Sequence, residues 1–201
     1  SASWLRSGVV SIPIKAGMEQ GEWRDAQGEK LKASRSGGNW MVKVDRIPSM
    51  GVKAIKFEPS GGKMKEEIPF DVGRSALVTP YYKLEWNERG QLTKIYDRIA
   101  EREVLERGST GNILQVFEDK PLNFDAWDID IYYQEKMREV NDLKKAKVIE
   151  VNSLRTVVFF EWAYMDSTIK QQMIVYADSP RIDFVTHVDW HEQQQLLKVA
   201  F

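Results

Sequence analysis

The sequence predicts an all-β protein, with a small immunoglobulin-like β-sandwich followed by a larger antiparallel β region. Three observations predict it. Apolar residues recur at period two along most of the chain. Gly, Pro, Asn and Asp punctuate these runs at the spacing of hairpins. Only residues 137–146 read as a helix, and they carry no strong apolar stripe.

Taken in order, residues 1–58 hold short strand patterns at 9–14, 40–44 and 52–57, separated by Gly17, Gly21, Gly28, Gly37-Gly38 and Pro48 to Gly51. That spacing suits a small sandwich of the immunoglobulin-like kind without a disulfide. Residues 59–75 begin Pro59-Ser-Gly-Gly-Lys63 and read as a linker. The second domain is expected over 76–201. Its first strands, 76–86 and 91–97, flank Asn87-Glu-Arg-Gly90, where Gly90 suits the left-handed position of a bulged hairpin. Further along, Leu154, Val158, Phe160, Trp162 and Tyr164 alternate on one face, as do Ile169, Met173, Val175 and Ala177. Asp178-Ser179-Pro180 then makes a turn. Residues 181–191 put Ile182, Phe184, Val188 and Trp190 on one side, with Asp183, His187, Asp189 and His191 on the other. Residues 195–201 are still strand-like where the chain stops. Long neighbouring strands of this kind predict an antiparallel meander rather than α/β units.

Composition narrows the function classes. Lys plus Arg number 29 against 30 for Asp plus Glu, a net charge of −1, which supplies no long-range attraction for nucleic acid or an anionic membrane. There is no cysteine, so disulfides and thiolate metal sites are excluded. No apolar run reaches the ~20 residues of a membrane-spanning helix, and the first residues show no signal-peptide pattern. A cytoplasmic location is the expectation. His187 and His191 are four apart, a metal-ligand spacing on a helix, but on a strand that span is about 13 Å against Zn–N bonds of about 2.0–2.1 Å. No metal site is expected in this chain.

The densest chemistry lies in Phe117-Glu-Asp-Lys-Pro-Leu-Asn-Phe-Asp-Ala-Trp-Asp-Ile-Asp-Ile-Tyr-Tyr133. Five carboxylates, Glu118, Asp119, Asp125, Asp128 and Asp130, alternate with five aromatics, Phe117, Phe124, Trp127, Tyr132 and Tyr133. Carboxylates accept from pairs of sugar hydroxyls, and aromatic faces cover the apolar C–H side of a sugar ring. The plainer alternative is an acidic loop that caps a sheet with Asx-turns. Asp128 and Asp130 would share a strand face at about 6.5–7 Å, near the about 5–5.5 Å of a retaining glycosidase pair. Any Asp-x-Asp on a strand would give that separation, so it assigns no catalysis.

The stretch Leu114-Gln-Val-Phe-Glu-Asp-Lys-Pro-Leu-Asn-Phe-Asp-Ala-Trp-Asp-Ile-Asp130 resembles a signature of glycoside hydrolase family 38, the zinc-dependent retaining α-mannosidases. So do residues 183–201, from Asp-Phe-Val-Thr-His-Val-Asp-Trp-His to Lys-Val-Ala-Phe, and Gly90-Gln-Leu-Thr-Lys-Ile-Tyr-Asp-Arg98 ahead of Arg102-Glu-Val-Leu. Trp4-Leu-Arg-Ser-Gly-Val-Val10 is similar to the small sandwich of the same enzymes, in their bacterial, yeast vacuolar and cytosolic branch. Phe124 stands where that branch more often has tryptophan, which keeps an aromatic face but removes an indole N–H.

The resemblance implies an excised piece of a longer enzyme: the small sandwich, then the opening part of a large, galactose mutarotase-like supersandwich. The zinc ligands and catalytic carboxylates would lie in a preceding domain, so this chain alone is expected to be inactive, with no catalytic residue and no cofactor of its own. Zinc is expected in the full-length parent. Asp125, Trp127 and Asp128 are the expected substrate-binding residues, on a loop directed at the mannose pocket, or else they join the two domains. Partners would be the parent's own catalytic domain, a mannose-containing oligosaccharide and a second copy in a homo-oligomer. The alternatives are a free-standing carbohydrate-binding module and a purely structural or oligomerisation module.

Overall fold

The computed structural model describes residues 3–61, 66–124 and 127–201. The protein divides into two compact units, Ser1–Pro69 with Glu150–Thr156, and Phe70–Ile149 with Val157–Phe201. Both are built of antiparallel strands, in agreement with the all-β expectation.

In the first unit, β1 (Arg6–Pro13), β2 (Gly21–Asp25), β3 (Ala33–Ser36), β4 (Asn39–Ile47) and β5 (Ile55–Pro59) form a three-stranded sheet, β1-β4-β3, and a two-stranded one, β2-β5. Period-two alternation along β4 buries Trp40, Val42 and Val44, which meet Trp23 of β2 and Ala33 of β3 in one core. Phe57 closes it, with its ring 5.4 Å from Trp23 and 5.8 Å from Trp40. Trp40 donates from Nε1 to the Met18 carbonyl at 2.7 Å, so its one polar atom is satisfied inside the core. Ser34 and Ser153 share a buried hydroxyl hydrogen bond of 2.6 Å. Arg155 grips Glu150 through Nε and Nη2, and Ser36 donates to the same carboxylate. Burial opposes ionisation of Glu150, but Arg155 and Ser36 prevail and its pKa lies below the usual carboxylate value.

The second unit opens with β6 (Asp71–Val72), β7 (Ala76–Val78), β8 (Tyr82–Trp86), β9 (Leu92–Asp97) and β10 (Arg102–Glu103), a five-stranded meander in the order β10-β9-β8-β7-β6. After β11 (Ile113–Glu118) comes a 3-10 helix (Ile131–Glu135), then β12 (Met137–Glu139). The chain continues through β13 (Asp142–Val151), β14 (Arg155–Tyr164), β15 (Ser167–Tyr176), β16 (Ile182–Asp189) and β17 (Gln195–Ala200). These give a four-stranded sheet, β13-β14-β15-β16, and a three-stranded one, β12-β11-β17. The core takes Val158, Phe160 and Trp162 from β14 and Ile169, Met173 and Val175 from β15, the alternating faces read from the sequence. Phe160 stacks on Trp162 at 5.5 Å and meets Trp86 edge-on at 5.8 Å. The β8–β9 hairpin carries a bulge between Glu85 and Trp86, and Gly90 has φ +77. Trp162 donates to the Arg89 carbonyl at 2.7 Å, which pins the hairpin tip to the core.

The helix expected over 137–146 is absent. Met137 pairs with Phe117, Arg138 with Val116 and Glu139 with Gln115, and β13 starts at Asp142. Lys144, Lys145 and Lys147 are exposed on β13, an edge strand, where lysine discourages pairing with another chain. Lysine's good helix propensity made the segment look helical, and the sheet overrode it.

Candidate functional site

The site grows out of the end of β11. On this strand Leu114, Val116 and Glu118 share a face by alternation, and the first two are buried. Register places Arg138 and Leu197 beside Val116 and sets Gln195 beside Glu118. The core-facing side of the sheet thus turns from apolar to polar within two residues. Glu118 accepts from Lys120 at 2.6 Å on Oε1 and from Lys136 at 2.7 Å on Oε2. Lys120, with Lys136, holds its carboxyl far down, at about 2. Tyr164, at the end of β14, donates to Oε1 of Gln195 at 2.6 Å. Burial raises the Tyr164 phenol above its ordinary pKa against an opposing pull from Arg138.

The opposite face is aromatic and cationic. Phe117 meets Tyr133 edge-on at 5.2 Å, and Lys198 lies 4.1 Å from the centre of the Tyr133 ring and 5.6 Å from that of Phe117. Lys198 also donates to the Tyr133 hydroxyl at 2.5 Å, which lowers the phenol's pKa. These contacts fasten the 3-10 helix to the sheet.

Between β11 and the 3-10 helix runs the acidic, aromatic loop. Asp119 donates from its backbone N–H to the Gln194 carbonyl at 2.8 Å, while its Oδ1 is buried with no partner among the described residues. At the neck, Asp130 accepts from the Leu122 N–H at 3.1 Å. At the tip, the Phe124 carbonyl accepts from Trp127 at 2.6 Å and from Asp128 at 2.9 Å, with Phe124 in the left-handed region at φ 57. Trp127 is 93% exposed, and Phe124 and Leu122 are exposed with it. Asp128 is exposed beside it. Asp125 lies outside the described residues.

One conditional reading is corrected here: the described residues between β11 and β12 form loop and a 3-10 helix, not a strand, so Asp128 and Asp130 do not form a strand-spaced pair. Pro121 and the left-handed Phe124 explain why no ladder forms. Asp130 instead spends its carboxylate on the loop's own backbone, eight residues upstream at Leu122. The sequence reading also passed over Lys136, Arg138, Gln195 and Lys198. For Lys136 and Arg138 the signal was the alternation of 136–140 against β11, hidden by the helical reading of 137–146.

Two cavities open beside the loop. One, of about 240 Å³, is lined by Glu118, Lys120, Lys136, Arg138, Tyr164 and Gln195, among others. A smaller one of about 150 Å³ shares Glu118, Lys120 and Lys136 and adds Asp130, Tyr133 and Glu135. Trp127 and Asp128 line neither. Among the described residues no three His, Cys, Asp or Glu side chains converge as metal ligands. His191 pairs with Asp189 at 3.1 Å, and His187 lies opposite Lys170 in the β15–β16 register. No helix is long and apolar enough to cross a membrane.

Residues 77–201 match the glycosyl hydrolases family 38 C-terminal domain. The chain belongs to glycoside hydrolase family 38. Among its relatives is α-mannosidase G of Dictyostelium discoideum, 36% identical over 193 residues, covering 87% of this chain and 18% of that protein. α-Mannosidase 2C1 is similar too, at 26% identity in Homo sapiens and 31% in Mus musculus, each over 182 residues that cover 86% of this chain and 17% of the relative. The chain therefore spans less than a fifth of the length of these family 38 relatives.

Proposed function

We propose that this chain is the non-catalytic β region of a retaining α-mannosidase, and that its acidic, aromatic loop helps line the mannose pocket of the whole enzyme. In the whole enzyme a terminal α-linked mannose would leave through a glycosyl-enzyme intermediate formed on a carboxylate outside this chain. The observation that carries the reading is Trp127, whose backbone N–H, like that of Asp128, donates to the Phe124 carbonyl while its side chain is almost wholly exposed. A large aromatic so presented forfeits about 1.5–3 kcal/mol of burial unless something covers it, and a sugar face or the catalytic domain would do so. Asp128 beside it, with Asp125, would accept from sugar hydroxyls.

Zinc finds no ligand set among the described residues, and in this reading it belongs to the catalytic domain of the whole enzyme. A cytoplasmic setting and self-association of this chain are part of the same proposal. The alternative of a free-standing carbohydrate-binding module predicts sugar binding by this chain alone. The test is Trp127→Ala in the full-length enzyme. Pocket lining predicts turnover on an α-mannoside reduced about tenfold or more with the melting temperature kept. Parallel loss of both would make the loop a domain joint instead.

A further inference from the structure

The larger cavity has a charge pattern that the mannoside reading does not use. Three of its lining groups are cations, Lys120, Lys136 and Arg138, against the single carboxylate Glu118. Glu118 already accepts from one lysine on each oxygen. The Arg138 side chain makes no hydrogen bond or ion pair among the described residues, and it is exposed. Its position is unusual. It stands on the core-facing side of β12, in the row of Val116 and Leu197, where an aliphatic residue would extend the apolar core. A planar guanidinium there offers paired donors suited to a phosphate or a carboxylate. Gln195, fixed by Tyr164, adds a carboxamide across the mouth. At about 240 Å³ the space is below the about 300–1,000 Å³ of sites for drug-sized ligands, so it fits a small molecule.

We propose that this polar mouth of the second unit is a binding site for a small molecule carrying a phosphate or carboxylate, with Arg138 as the bidentate anchor and Lys136 in support. Asp130 and Glu135 lie in the adjoining smaller cavity, so the surplus of positive charge is confined to the larger one. The inference rests on this cavity alone and does not depend on the α-mannosidase reading.

Three probes that share a ring and differ at C6 test it by titration calorimetry on the 201-residue chain: glucose, glucose 6-phosphate and glucuronate. One or both anions are expected to bind, more weakly as salt is raised, while neutral glucose gives no heat. Which anion binds separates a phosphate site from a carboxylate site. Arg138→Gln should weaken the anion about tenfold or more, and Lys136→Gln should weaken it less. Both residues are exposed, so unchanged circular dichroism is expected for each variant. Silence of both anions up to about 10 mM, equal binding of neutral glucose, or an unchanged affinity in Arg138→Gln overturns the proposal.

Discussion

Glu118 carries one lysine on each carboxylate oxygen, and its titration follows from that. Its pKa falls from 4.5 to about 2 on folding. An unfolded chain therefore takes up the proton first as acid is added, so stability from this group is complete above about 4.5 and drains as pH falls to about 2. Glu118→Gln should flatten the stability–pH curve across that window and leave it unchanged near neutrality in slope, which urea melts at stepped pH would read. A stability change confined to pH above 5 would contradict the assignment. At Gly90 two constraints coincide: φ +77, and a Cβ that would meet Cζ2 of Trp162 at 2.6 Å. Gly90→Ala should cost about 2–4 kcal/mol, from backbone strain plus overpacking in the core. Urea denaturation measures it, and a loss below about 0.5 kcal/mol would mean the tip relaxes freely.

Among the elements, β14 carries the core of the second unit. Phe160 is fully buried between Trp86 and Trp162, so Phe160→Ala should cost about 3–5 kcal/mol in the same assay. Strands such as β14 and β15 were legible because one face is buried and the other is not, which forces alternation. The β8–β9 hairpin was legible because a left-handed turn position calls for glycine. The β12–β13 segment was not. β12 is only three residues long, both strands lie at sheet edges, and few of their residues are buried, so propensity spoke louder than pattern. The loop tip was half legible: composition pointed to Trp127 and Asp128, but only coordinates show the Phe124 carbonyl holding both. Arg138 could not be found without the strand register that sets it beside Val116.

The whole molecule pairs family 38 sequence with β-sheets whose outer strands remain open. β16 ends the four-stranded sheet and β17 the three-stranded one, with Val185, Val199 and Phe201 all more than half exposed. Such edges invite pairing, so sedimentation velocity on the 201-residue chain should show association that grows with concentration. A monomer at every concentration would contradict this. In the function proposed here, this chain serves an α-mannosidase without containing its chemistry. The most direct measurement is hydrolysis of a chromogenic α-mannoside by the 201-residue chain and by the full-length enzyme, each with and without zinc. Activity in the full-length enzyme alone is the predicted result. Activity in the 201-residue chain would contradict the account and place the reacting carboxylates in its acidic loop.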